Sequence, residues 1–248
     1  MNRAITTSAI GASVLLAATG IAWWMRRGAP ALDLPPTVIP MVSPVITIEM
    51  AEQVLSHMEH LPPDEVTLVL HTDGGEVTAC VLIADALRKF HHSTAIVPYM
   101  ALSGGTLIAL NATRLQLGKN AALSAVDPVI AGQRARHIPK NDEKNASPLH
   151  PLAQEYDSAV RDYLGESLRA RLGAGASPTA LERAMSVFMG LKAPHSWPIH
   201  AAQLHGLEIP VEPADVQWSR VVDDLRRARP RQYFVLGAQS PELRRALP

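Results

Sequence analysis

Cysteine is almost absent from this 248-residue sequence: the only one is Cys80. A single thiol excludes an intramolecular disulfide and any cysteine-built zinc site. An excess of one charge is also missing. Lys+Arg and Asp+Glu both number 23, for a formal net charge of zero, so nothing electrostatic favours nucleic acid as the main partner. The basic runs at Arg134–Lys144 and Arg226–Arg231 read as solvated surface. His200 and His205 are spaced like a zinc pair on a helix, but the glutamate of a zincin motif and a third ligand are missing. No metal and no cofactor are expected. No internal repeat is present. What is there is a 47% hydrophobic chain, long enough for one cored domain plus an appendage.

The appendage is amino-terminal. Ala4–Met25 carries no charge and ends in Trp23 and Trp24, with Arg26 and Arg27 directly after. That length matches a bilayer core, and the Trp and Arg residues match an interfacial boundary. Large residues stand where a signal peptidase needs small ones, so the expectation is an uncleaved single-pass membrane anchor over residues 1–27. The positive-inside bias leans towards a cytoplasmic soluble domain. Pro30, Pro35, Pro36, Pro40 and Pro44 mark residues 28–44 as an extended spacer. The domain proper is expected over 45–230, with a tail at 231–248.

Within the domain, aliphatic runs alternate with helical periodicity. Val45–Ile48 reads as a short strand, Met50–His60 as an amphipathic helix and Val66–His71 as a strand buried on both faces. Thr72-Asp73-Gly74-Gly75 then leads into a helix over Val77–Phe90. Ala95–Tyr99 is a second buried strand, Ser103-Gly104-Gly105 a tight turn, Thr106–Ala112 a helix, and Arg114–Leu117 a third strand. Ala122–Val126 is extended. Strand, glycine turn, helix, repeated with short connections, predicts an α/β fold with a largely parallel sheet. Beyond it, Ala131–Pro151 reads as a loop, and Leu152–Leu172, Thr179–Leu191 and Pro198–His205 as helices.

The chemistry falls at the two glycine turns. Each follows a buried strand and opens a helix, so backbone N–H groups and a helix dipole converge where an oxyanion is stabilised. Ser103 sits at the second turn, the position of a serine nucleophile. Read alone, a serine there is more often a helix cap; the Gly74-Gly75 turn upstream reverses that preference.

The stretches HTDGGEVTACVLIADAL, VPYMALSGGTLIALNATRLQLGKNAALSAVDP and PHSWPIHAAQLHGLEIPV together resemble the serine dehydrogenase proteinase family over roughly Val66–Val211. That family is related to signal peptide peptidase A and to the Clp protease proteolytic subunit. The resemblance implies a Clp protease/crotonase-like fold of repeated β-β-α units and a serine peptidase acting on peptide or protein substrates. It also implies a homo-oligomer. Carried over by position, Ser103 is the nucleophile. Gly75 and Gly104 offer oxyanion-hole N–H groups, and Gly74 shapes the turn. Two features depart from the pattern. Asp73 replaces the proline usual before the first glycine pair, and Ala125-Val126-Asp127-Pro128 lacks the Clp-type histidine. The general base must come from elsewhere. His195 is the leading candidate, followed by Lys144 and then Lys140. The rival readings are an inactive peptide-binding scaffold on the membrane and a crotonase-type acyl-thioester enzyme.

Overall fold

The computed structural model describes residues 34–138 and 148–228. The proposed anchor at Ala4–Met25, Lys140 and Lys144, and the tail at 231–248 lie outside them. Among the described residues no helix is long and apolar enough to cross a membrane.

The main sheet has five parallel strands, in the spatial order β1 (Val38–Val42), β2 (Glu65–His71), β3 (His92–Val97), β5 (Arg114–Leu117) and β9 (Glu212–Pro213). Helices α1 (Ile48–Glu59), α2 (Val77–Leu87) and α3 (Gly104–Asn111) make the crossovers. Two short parallel strands, β4 (Met100–Ala101) and β6 (Ala122–Leu123), form a second layer beside the ends of β2 and β3. An antiparallel pair, β7 (Val129–Ile130) and β8 (Gln133–Arg134), follows. The chain then closes with α4 (His150–Leu172), α5 (Pro178–Phe188), α6 (Ala201–Gly206) and α7 (Gln217–Ala228). The α/β, mostly parallel architecture is the one the aliphatic runs predict.

Side-chain alternation explains how both faces of the sheet are covered. Ile39, Met41, Leu68, Leu70, Ala95 and Val97 point into the main core with Val54, Ile83, Leu87 and Leu107. Val38, Val42, Val69 and Ile96 point the other way, onto Val221, Val222 and Leu225 of α7. Burying one such Val or Leu contributes about 1.5–3 kcal/mol.

Several boundaries differ from the sequence expectation: the second buried strand is His92–Val97 rather than Ala95–Tyr99, Gln133–Arg134 within the expected 131–151 loop pairs in a hairpin, and two differences reshape the sheet's first units. Val38–Val42, assigned to the spacer, is an edge strand of the sheet. Pro40 hid it, because proline cannot donate to a ladder. Here Thr37 O and Ser43 N bond to β2, so the alternate residue Pro40 directs its nitrogen to the open edge, where no donor is needed. Conversely, Val45–Ile48 is not a strand of the sheet. Ile46 makes an isolated bridge to Gly75, and Thr47 caps α1.

Candidate active site

Ser103 occupies the turn between β4 and α3 with φ 50° and ψ −118°, backbone angles that an L-residue rarely adopts. Such a strained strand-to-helix turn lifts a side chain clear of its neighbours. The turn is held from both sides. Leu102 N–H donates to Thr72 O (3.0 Å) at the end of β2, and Ser103 N–H donates to Ser124 Oγ (2.8 Å). Ser124 N–H in turn donates to Thr106 Oγ1 (2.9 Å), whose hydroxyl donates to Ala101 O (2.7 Å). Sequence reading missed Ser124 and Thr106: both lie within the quoted VPYMALSGGTLIALNATRLQLGKNAALSAVDP stretch, but only the fold shows that their side chains hold the Ser103 turn.

The two glycine turns meet at this point. A Cβ on Gly75 would stand 2.1 Å from Ile46 O, and one on Gly104 would stand 2.2 Å from Cys80 Sγ, so neither position has room for a side chain. Gly74 has φ 118°, and its Cβ would lie 2.7 Å from Ser103 Cβ and 3.2 Å from Gly104 N. Among the described residues no acceptor takes the Gly75 or Gly104 N–H. The structure therefore brings Ser103, Gly74, Gly75 and Gly104 together, with open donors at the start of α3.

The far end of α3 is also charged appropriately. Arg171 of α4 donates to Leu110 O (3.2 Å), Ala109 O (3.3 Å) and Ala112 O (2.5 Å). Burial pulls its pKa down to about 10, which leaves the guanidinium protonated at neutral pH. A cation there complements the helix dipole whose positive end lies at Ser103. Asp73, the departure from the family pattern, is exposed and holds only Pro44 O through its N–H, so water screens its charge.

A cavity of about 80 Å³ opens at Ser103, walled by Val77, Leu107, Val126, Pro128, Val129 and Val160. Cys80 also borders it, but burial first and the Glu76 charge second push the thiol up to about 12. It is a protonated, inert neighbour rather than a rival nucleophile. No histidine, lysine or carboxylate among the described residues lines this cavity.

His195 lies elsewhere. Its Nδ1 is 3.0 Å from Asp127 Oδ1, which resembles the orienting bond of a catalytic triad. The 124–128 stretch, however, turns alternate side chains to opposite sides. Ser124, Val126 and Pro128 face Ser103 or its cavity. Ala125 lines a different, apolar pocket with Gly190, Pro194 and Trp197, and Asp127 sits with the same turn. The His195–Asp127 pair is thus on the face turned away from the nucleophile.

An α/β domain with a strained serine at a strand-to-helix turn and two open glycine N–H groups presents the elements that nucleophilic serine chemistry requires. Residues 37–150, somewhat under half of the chain, match the model of the ClpP-like SDH-type serine proteinase family, a likeness to those proteins. The uncharacterized protein MJ0137 of Methanocaldococcus jannaschii is 35% identical over 138 residues, 52% of this chain and 48% of that protein. The uncharacterized protein MJ1495 of the same organism is 41% identical over 95 residues, 38% of this chain and 32% of that protein. The chain therefore spans half or less of the length of these curated relatives. ClpP1 from Listeria monocytogenes superposes with a TM-score of 0.50 at 14% identity, over 74% of this chain and 95% of that one, a likeness of fold.

Proposed function

We propose that the protein is a serine peptidase in which Ser103 Oγ attacks the scissile carbonyl and forms an acyl-enzyme. The single observation that carries this reading is the strained backbone at Ser103 beside the open N–H groups of Gly75 and Gly104. In the tetrahedral intermediate those two donors, with the α3 dipole, take the oxyanion. Lys144 or Lys140 supplies the base, because His195 is turned away and the cavity holds no other group suited to the role. The same apolar walls receive the side chain preceding the cleaved bond. Their volume suits a short branched aliphatic group and excludes an aromatic ring.

A fluorophosphonate probe should label wild-type protein at one site, the tryptic peptide carrying Ser103. A panel of peptides varied at that one side chain should favour alanine and valine over phenylalanine by about tenfold or more. Val160→Ala should relax that limit towards leucine and methionine. Failure of the probe to react would favour the inactive peptide-binding scaffold; labelling with a preference for aromatic side chains would refute the cavity's role alone. The reading also includes the membrane anchor at Ala4–Met25 and a homo-oligomer. Carbonate extraction that released full-length protein would count against the first, and a monomer in light scattering against the second.

A further inference from the structure

Asp127 has no exposed side-chain surface, yet it carries a full charge into the interior. It is met by more than its histidine. Arg134 Nε lies 2.5 Å and Arg136 Nη2 3.0 Å from Asp127 Oδ2. Both arginines are themselves largely buried, at 17% and 18% exposure. Their remaining N–H groups are spent on one turn: Arg134 donates to Ala193 O (2.9 Å) and Gly190 O (2.6 Å), and Arg136 to Met189 O (2.6 Å) and Gly190 O (2.9 Å). The main chain joins in. Val126 N–H donates to Phe188 O (2.7 Å), and Ala135 N–H donates to Pro128 O (2.8 Å). One carboxylate thus ties three pieces of chain together: the 124–128 stretch, the hairpin that begins at Val129, and the turn after α5.

A buried ion cluster is a poor source of net stability, since desolvation offsets most of its attraction. Its geometric effect is stronger, because each guanidinium holds a planar fork in one orientation. The opposite side of the clamped stretch carries the parts the nucleophile needs. Ser124 Oγ holds the Ser103 N–H, and Val126, Pro128 and Val129 wall its cavity. We propose that Asp127, through Arg134 and Arg136, is a positioning residue that fixes the back of the 124–128 stretch so that its front holds the Ser103 turn in its strained conformation. His195 adds a single hydrogen bond to the same carboxylate and takes no part in proton transfer. The inference rests on the Ser103 reading for its kinetic consequence, but the positioning itself has a separate readout.

The test compares full-length wild-type, Asp127→Asn and His195→Ala proteins, each at a temperature where thermal melts show it folded. Asp127→Asn keeps the shape and removes the charge that both arginines share. Its fluorophosphonate labelling rate at Ser103 and its kcat are expected to fall about 10- to 100-fold with KM nearly unchanged. His195→Ala is expected to stay within about threefold of wild type. Hydrogen exchange supplies the independent arm. The hydrogen-bonded amides of Leu102, Ser103, Gly105 and Leu107, none of which bonds to Asp127, should exchange at least about tenfold faster in Asp127→Asn. Wild-type exchange there, or wild-type labelling per folded molecule, overturns the proposal. If wild-type protein is never labelled, the nucleophile reading fails, and the exchange arm still decides the clamp.

Discussion

Replacing Ser103 by alanine is expected to lower kcat by about 10³-fold or more while the protein still folds normally. The physical grounds are specific to this turn. No described residue accepts or donates a hydrogen bond through Ser103 Oγ; the backbone N–H makes the contact to Ser124. Alanine keeps the Cβ and therefore the same backbone strain, so melting temperature should move little. Glycine is the informative companion. At φ 50° and ψ −118° a Cβ is penalised, by about 1–3 kcal/mol, and Ser103→Gly relieves that penalty. Ser103→Gly is thus expected to be inactive and more thermostable than wild type. That pairing separates strain retained for chemistry from a serine that merely caps α3. Turnover equal to wild type in Ser103→Ala, with peptide hydrolysis followed by mass spectrometry, would remove Ser103 from the mechanism. A loss of melting temperature in Ser103→Gly would show that the turn stores no strain.

Much of this arrangement is legible in the order of residues along the chain. Val66–His71 and Arg114–Leu117 read as strands because they are largely aliphatic runs without a helical period, and they are strands within a residue. The SGG turn is legible because it pairs with the Gly74-Gly75 turn upstream, whereas a serine alone before a helix is more often a cap. Three features escape for identifiable reasons. β1 is masked by Pro40, whose missing N–H matters only if one knows which edge it faces. β9 is two residues long, Glu212–Pro213, too short for any periodicity to register. The Asp127 cluster joins residues 127, 134, 136 and 195, brought together by a turn and a crossover that no local pattern encodes. With that cluster hidden, His195 has the appearance of a base. A histidine at the right distance from a Gly-Leu pair is visible in sequence, whereas the face of an irregular stretch to which it belongs is not.

The base is the second place where a large effect is expected. His195 Nδ1–H donates to a carboxylate already held by two arginines, on the side of residues 124–128 away from Ser103. Imidazole in that position does not line the Ser103 cavity. The remaining candidates, Lys144 and Lys140, follow the β7–β8 hairpin, whose first residue, Val129, already lines the Ser103 cavity. A lysine that approached Ser103 Oγ once substrate fills the adjoining cavity would lose hydration, and desolvation disfavours its charged form. The sign follows directly. The base must be neutral to accept the serine proton, so kcat/KM rises with pH through its pKa. A histidine would place that limb at about pH 6 to 7, and a lysine depressed from about 10.4 places it higher. The expected result is that Lys144→Ala, or failing it Lys140→Ala, loses turnover by about 10²- to 10⁴-fold, while His195→Ala retains it. The limb of the wild-type pH profile should lie above about pH 7, and it should be the same in His195→Ala. A limb near about pH 6.5 that disappears in His195→Ala would return the role to the histidine and require the 124–128 stretch to rearrange on substrate binding. Loss of activity in His195→Ala with both lysine variants fully active would do the same.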